Sequence, residues 1–379
     1  MNVLIAIPCL LRGGTEMQTL YLSRALVGGG HDVEIACYFQ YDPVVVEEFR
    51  AFGCSVTLME LERSSGAAAI TRSLVDHFAT RRPDIVHVQY MAPGAMPVLA
   101  ARLAGVRRVL ATVHQPYTKG HGMHAKLLLR SAALLCDYFI AVSEVAEKSW
   151  FGSSRNIADI DSCKLPKHFT IYNAVDAERV RSLVESENAD ALRRHYALNS
   201  GFVFGFIGRI SYEKGLDVLF DAFELLIEQY PSVFLLVVGD GPGKAKLEQR
   251  YGCRSWWKMV KMIGSQSWED AMRHFSVMDA MVMPSRFEGF GLSAIEAMSA
   301  AVPIIASKTG GLAEIIENGQ SGLLFETDNS VALYSEMVRL LTESEFLKKL
   351  VVGASERVCA FKISRYNSDI LKLYNVVEK

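Results

Sequence analysis

The sequence predicts an α/β protein built as two parallel-sheet domains, and three observations carry that prediction. The 379 residues exceed the size at which one hydrophobic core usually stops growing, and half of them are hydrophobic, enough for two cores. Short apolar runs alternate with stretches of helical periodicity along the chain. Many of these runs end in glycine, proline or small polar residues, at the edge where parallel sheets bind their ligands.

Composition narrows the function classes. A formal net charge of −2 leaves no electrostatic footprint for nucleic acid, so no nucleic-acid partner is expected. Cys9, Cys37, Cys54, Cys136, Cys163, Cys253 and Cys359 form no CxxC pair and read as buried free thiols of a reducing compartment. The start, Met1 to Pro8, has no basic leader and reads as a first strand rather than a signal peptide. No apolar run approaches the roughly 20 residues that span a bilayer. A cytoplasmic protein is expected, attached at most peripherally to the cytoplasmic face of a membrane.

In the first domain, residues 3–7 are a continuous apolar run, 16–27 have helical periodicity and 32–37 return to strand, making a βαβ unit. Gly13 and Gly14 fall at the carboxyl edge of the first strand, where glycine N–H groups can meet phosphate. They do not form a GxGxxG fingerprint, which disfavours a nicotinamide cofactor. Strand 55–58, a helix around 67–79, strand 85–88, a helix around 97–103 and strand 108–113 continue the alternation. His114 follows that last strand directly. A zinc cluster of His114, His121 and His124 is disfavoured: no supporting carboxylate is near, and the latter two sit in a glycine-rich loop. The helix 125–136 sets Lys126 and Arg130 beside many leucines, which reads as a buried face with charged rims; a lipid-surface contact is the alternative. Residues 139–143 are strand, 153–168 polar and irregular, and 169–173 strand. The domain boundary is placed near Val180.

The second domain repeats the pattern. Strand 202–207 ends at Gly208 and Arg209, and residues 211–215 open the helix 216–229. Arg209 and Lys214 set a planar fork and a compact point charge beside one strand end. Strand 233–238 leads into Gly239-Asp240-Gly241-Pro242-Gly243-Lys244, which fails as a P-loop because the first glycine is missing and Ala245 replaces Ser or Thr. Residues 262–265 end the next strand. Strand 280–283 then runs through Pro284-Ser285-Arg286-Phe287-Glu288-Gly289-Phe290-Gly291 into a helix beginning at Leu292. Gly289 and Gly291 let the first amides of that helix approach an anion such as a diphosphate. Glu288 precedes the helix and Glu296 lies a little over one turn into it, so one carboxylate can face the mouth of a site and the other can reach ribose hydroxyls. Strand 303–306 is buried, Gly310 and Gly311 precede a short helix holding Glu314, and 331–341, 346–360 and 366–377 are amphipathic helices.

The stretch EGFGLSAIE, 288–296, resembles the paired-glutamate motif of the large retaining glycosyltransferase family that includes bacterial α-mannosyl- and N-acetylglucosaminyltransferases, family 4, with the two-domain GT-B fold. Gly13-Gly14-Thr15-Glu16, IGRISYEKG from Ile207 to Gly215 and TGGLAEII from Thr309 to Ile316 resemble further family segments, in family order. IYNAVD resembles the family's NGVD segment with Ala174 in place of glycine, and Ala301 stands where glycine is common, a departure expected only to tighten packing.

The resemblance implies two Rossmann-like domains facing each other across a cleft, an acceptor-side domain at 1–180 and a donor-side domain at 181–363, with helix 364–379 crossing back onto the first. It implies a nucleotide diphosphate sugar as donor substrate, a saccharide, glycolipid or small molecule as acceptor, and no cofactor. By the same resemblance His114, Arg209, Lys214 and Glu288 are catalytic, Gly13, Gly14, Gly208, Phe290, Gly291, Leu292 and Glu296 hold the donor, and Glu16 meets the acceptor. Transfer would retain anomeric configuration, with the leaving phosphate as base. No aspartate pair of DxD type ends a strand, so no essential metal is expected. A nucleotide-sugar epimerase, a phosphorylase-like enzyme carrying pyridoxal phosphate and a non-catalytic nucleotide-sugar-binding subunit remain as alternatives.

Overall fold

Among the described residues thirteen strands, all paired in parallel, form two sheets, and each sheet belongs to its own compact unit. The computed structural model describes residues 1–90, 95–161, 165–198 and 200–378. Unit 1 comprises Met1–Ala174 with Ile363–Lys379, and unit 2 comprises Val175–Lys362.

Unit 1 holds β1 (Asn2–Ile7), β2 (Asp32–Cys37), β3 (Ser55–Leu58), β4 (Ile85–Tyr90), β5 (Arg108–Val113), β6 (Tyr138–Ala141) and β7 (His168–Thr170), in the order β3-β2-β1-β4-β5-β6-β7. Side chains alternate across the sheet. Val3, Ile5, Ile7, Val33 and Ile35 pack with Leu22 and Leu26, Val46 and Phe49, and Ile370 and Leu373 of the helices Gly14–Gly28, Pro43–Ala51 and Ile363–Glu378. Leu4, Ala6, Val86 and Val88 face the opposite way, onto Leu74, Phe78, Val98, Leu129 and Trp150. With both faces covered, the strands read as continuous apolar runs, as buried parallel strands must.

Unit 2 holds β8 (Val203–Ile207), β9 (Phe234–Val238), β10 (Val260–Gly264), β11 (Ala280–Met283), β12 (Ile304–Ser307) and β13 (Leu323–Phe325), ordered β10-β9-β8-β11-β12-β13. Phe204, Phe206, Leu235, Val237 and Val282 meet Leu219, Phe223 and Leu226 of the helix Leu216–Gln229 and Leu333 and Met337 of the helix Ser330–Thr342. In each sheet the strand order reverses beside the first strand, between β1 and β4 and between β8 and β11. Ligands of open α/β sheets bind beyond the strands' carboxyl ends at such reversals.

The units divide between Ala174 and Val175, and the helix Ala177–Glu185, capped by Asp176, packs on other helices of unit 2. Two sequence expectations need correction. The loop expected around His121 and His124 is a 3-10 turn, Lys119–His121, and Gly122, Met123 and His124 already belong to the helix Gly122–Leu135. Cys253 and Cys359 are exposed rather than buried, and Cys163 lies outside the described residues.

Candidate active site

In unit 2 the turns leaving β8 and β11 sit side by side at the strand reversal and are tied by their backbones. The Glu213 carbonyl accepts from the Arg286 N–H at 2.7 Å. Gly215 packs so closely on this second turn that a Cβ there would lie 2.1 Å from the Pro284 carbonyl oxygen. This brings Lys214 and Glu288 together: Lys214 Nζ donates to Glu288 Oε2 at 2.6 Å. Arg209, at the same strand end, is exposed, and its guanidinium has no hydrogen-bonded partner among the described residues. Hydrogen bonding from Ser211, with a smaller pull from Arg209 and Lys214, holds the Glu213 carboxyl below its usual range.

Arg286 locks this pair of turns, a role the sequence reading missed. Its guanidinium donates to both oxygens of Asp217, at 2.9 and 2.8 Å, to Asp328 Oδ1 at 2.6 Å and to the Tyr212 carbonyl at 2.9 Å. It also lies over the Tyr212 ring at 4.4 Å. Asp217 opens the helix after Lys214, so a single planar fork joins the Lys214 turn to the Glu288 turn. An Arg inside a glycine-rich stretch, with an Asp three residues after Lys214, was the available signal.

The helix Leu292–Ser299 starts after Gly291 at φ 109°, with no side chain capping its first amides. That left-handed entry is costly for other residues, and a Cβ would also lie 2.8 Å from Leu312 Cδ2. The uncapped N–H groups and the positive end of the helix dipole suit an anion. The Thr309-Gly310-Gly311 turn clasps the preceding loop: Gly311 N–H donates to the Glu288 carbonyl at 3.2 Å, and a Cβ on Gly310 would fall 1.9 Å from that oxygen. Phe290 is buried and stacks edge-on against Phe361, their rings 5.8 Å apart.

The two glutamates of the motif have separate partners. Glu296 accepts from Trp268 Nε1–H at 2.8 Å, and burial raises its pKa while that bond pulls it back. The Arg179 guanidinium lies 5.1 Å from the centre of the Trp268 ring. Trp268 caps no apolar run and was invisible to sequence patterning. The Gly264 carbonyl at the end of β10 is already taken by the Gly239 N–H, at 2.8 Å.

In unit 1, Gly13 is the extended N-cap of the helix Gly14–Gly28. Glu16 folds back over it: its Oε1 accepts from the Leu11 N–H at 3.4 Å, and its Oε2 would lie 2.6 Å from a Cβ at position 13. Burial raises the Glu16 pKa, and the nearby backbone N–H groups oppose that shift. His114 sits at the end of β5, buried, with Nε2 2.8 Å from Gln89 Oε1, and burial depresses its pKa to about 4. His87 on β4 lies between the Tyr374 hydroxyl, 2.9 Å from Nδ1, and Thr112 Oγ1, 2.8 Å from Nε2. Burial, aided by His114, takes its pKa to about 3. His121 is engaged elsewhere, accepting from the Thr118 N–H at 3.0 Å and packing on Tyr117 and Trp150. Among the described residues no three His, Cys, Asp or Glu side chains gather as a metal site.

Residues 12–179 match Glycosyltransferase Family 4, and residues 188–357 match Glycosyl transferases group 1. An uncharacterised glycosyltransferase of Methanocaldococcus jannaschii is 26% identical over 294 residues, 77% of this chain and 75% of that protein. The D-inositol 3-phosphate glycosyltransferase of Jonesia denitrificans is 27% identical over 394 residues, covering 96% of this chain and 91% of its own length. Among solved structures, Anabaena HepE in complex with UDP matches with a TM-score of 0.82 at 19% identity, over 99% of this chain and 100% of that one. The same protein with UDP-glucose gives 0.78 at 19% identity, over 99% of each chain. Matched in series by two glycosyltransferase families over most of its length, and sharing its two parallel-sheet units with HepE, the chain belongs to the group 1 glycosyltransferases of family 4, with the GT-B fold.

Proposed function

We propose that the protein is a retaining glycosyltransferase that moves a hexose or N-acetylhexosamine from a nucleotide diphosphate sugar to a hydroxyl acceptor in polysaccharide, glycolipid or glycoconjugate synthesis. The observation that carries this reading is the meeting, at the β8/β11 reversal, of Arg209, Lys214 and the uncapped N-terminus of the helix Leu292–Ser299. Lys214 gives Glu288 one of its three N–H groups, so the others are available to phosphate oxygens. HepE, with its UDP and UDP-glucose complexes, supports a nucleotide sugar as the donor class.

The chemistry asked of these groups is electrostatic. As the bond from the anomeric carbon to the diphosphate breaks, negative charge grows on phosphate; two fixed cations and oriented amides stabilise it without reorganising. The leaving phosphate takes the proton of the acceptor hydroxyl on the same face of the sugar, which keeps the anomeric configuration. Glu296 serves ribose hydroxyls, Glu288 the sugar ring, His114 and the Gly13–Gly14 turn the sugar and its surroundings, and Glu16 the acceptor side. No metal is assigned a step, because these cations carry the leaving-group charge. Replacing Lys214 by Ala is expected to lower transfer about 100 to 1000-fold, measured as nucleotide diphosphate release from UDP- or GDP-sugars. Undiminished release removes Lys214 from the reaction.

A lipid-borne acceptor fits one surface of unit 1. The helix Gly122–Leu135 exposes Met123 (75%), Leu127 (59%) and Leu134 (77%), and Leu103 of the neighbouring helix Met96–Leu103 is 64% exposed. Lys126 and Arg130 lie on the same helix, whereas Arg102 and Arg108 are already paired with Asp137. An apolar stripe flanked by basic residues suits an anionic bilayer surface. No helix among the described residues is long and apolar enough to cross a membrane. Sedimentation with phosphatidylglycerol vesicles is expected to carry the protein down, less at high salt, and less again for Leu127→Asp with Leu134→Asp. Equal recovery with neutral phosphatidylcholine vesicles counts against the charge argument.

A further inference from the structure

Behind His114 lies a layer of polar side chains that the proposed reaction does not use. Gln89, on β4, pairs across the sheet with Thr112 of β5 and is 2% exposed. Its Oε1 lies 2.8 Å from His114 Nε2. Its amide nitrogen is buried without a hydrogen-bond partner. A carboxamide oxygen can only accept, so this contact requires a hydrogen on Nε2 of the imidazole. In a neutral ring the lone pair then belongs to Nδ1. Among the described residues nothing is bonded to that nitrogen.

The surroundings keep this arrangement uncharged. The cavity beside His114, about 10 Å³, is lined by Gln18, His87, Gln89, Thr112, Asn173 and Tyr366. Its other titratable groups are His87, whose pKa burial takes down to about 3, and Tyr366, whose pKa burial raises. Among the described residues no carboxylate lines it.

We infer that Gln89 is a positioning residue that fixes His114 as its Nε2–H tautomer, so that Nδ1 accepts a hydrogen bond from a hydroxyl of the bound sugar instead of donating one. This rests on the reading that His114 meets the donor sugar, but the tautomer can be measured without donor.

Long-range proton–nitrogen correlation spectra of the full chain, labelled at histidine nitrogens and assigned with a His114→Asn control, test it. The wild type is expected to show His114 as the Nε2–H tautomer, unchanged between about pH 5 and 8, the range in which an ordinary histidine titrates. Gln89→Met, which keeps the volume and removes the acceptor, is expected to give a mixture of tautomers. Gln89→Glu is expected to bring His114 titration into that range, because a carboxylate beside Nε2–H favours the charged ring. An Nδ1–H tautomer in the wild type, which a reversed Gln89 amide would impose, overturns the inference. So does a His114 signature unmoved in Gln89→Met. Adding UDP-glucose is expected to shift Nδ1 alone of the two ring nitrogens. An Nε2–H tautomer with no response to UDP-glucose would support the positioning while refuting the parent reading of His114 as a sugar contact.

Discussion

At the scale of single residues, the structure turns two sequence patterns into specific contacts and revises a third. Lys214 and Glu288, read separately as a phosphate ligand and a sugar ligand, form one 2.6 Å pair. A chain pattern cannot show this, because the pair depends on how two turns fold over each other. His114 was legible from its place just after a strand, but its partner Gln89 was not: β4 reads as an ordinary buried run and nothing in it marks one polar residue as functional. Ala301 is the revision. It is exposed and has φ 59°, so it tightens no packing; it ends the helix Leu292–Ser299 in the left-handed region that glycine tolerates and alanine does not. Ala301→Gly is therefore expected to stabilise the protein by about 1 kcal/mol, read as a raised denaturant midpoint with an unchanged slope. A lowered midpoint would show that the lost chain entropy outweighs the relieved strain.

At the scale of elements, periodicity located the long amphipathic helices and continuous apolar runs located the buried strands. The helix 216–229 and the strands 32–37, 55–58, 108–113 and 280–283 have the ends read from sequence. Short helices such as Ala177–Glu185 and Trp268–Arg273 were missed: they complete too few turns for a period to emerge, and their start signals, Asp176 and Ser267, are single residues. The motif order around Gly208–Gly215, Glu288–Glu296 and Thr309–Ile316 was legible, but the clamp joining the first two was not. Arg286→Ala removes charge-assisted bonds to Asp217 and Asp328, both partly exposed. It is expected to cost about 3 kcal/mol of stability and to weaken nucleotide binding even though Arg286 itself is given no ligand. Calorimetric unfolding with nucleotide titration checks both, and retained affinity in a destabilised variant would show that the Lys214 turn holds its shape unaided.

At the scale of the whole molecule, acid should act through buried histidines. His87 and His114 have folded pKa values of about 3 and about 4, below the ordinary histidine value, so the unfolded chain binds more protons wherever the pH lies between those limits. Stability is then complete above the unfolded pKa and is lost as pH falls from about 6.5 toward 4, by up to roughly 1.4 kcal/mol per pH unit for each histidine. Glu16, Glu296 and Asp369, whose pKa values burial raises, act in the opposite sense and offset part of the loss. Urea midpoints at pH 7 and pH 5 are expected to differ in that direction, with a smaller difference in His114→Gln. A midpoint that rises on acidification would mean the buried carboxylates dominate. Two α/β units were legible from length and alternation, because each sheet must bury both faces and repeats its strand-and-helix signature. The return of the helix Ile363–Glu378 to unit 1 came from family resemblance, since no local pattern tells a helix which core it joins.

The central claim is that the second unit grips a nucleotide diphosphate at the β8/β11 reversal through Arg209, Lys214 and the helix N-terminus beginning at Leu292. Isothermal titration of UDP and GDP into the wild type, Arg209→Ala and Lys214→Ala tests it most directly. At least one nucleotide is expected to bind the wild type, with affinity falling about tenfold or more in each variant, since a charge-assisted bond contributes roughly 1.5 to 3 kcal/mol. Equal affinity in all three proteins would contradict the account.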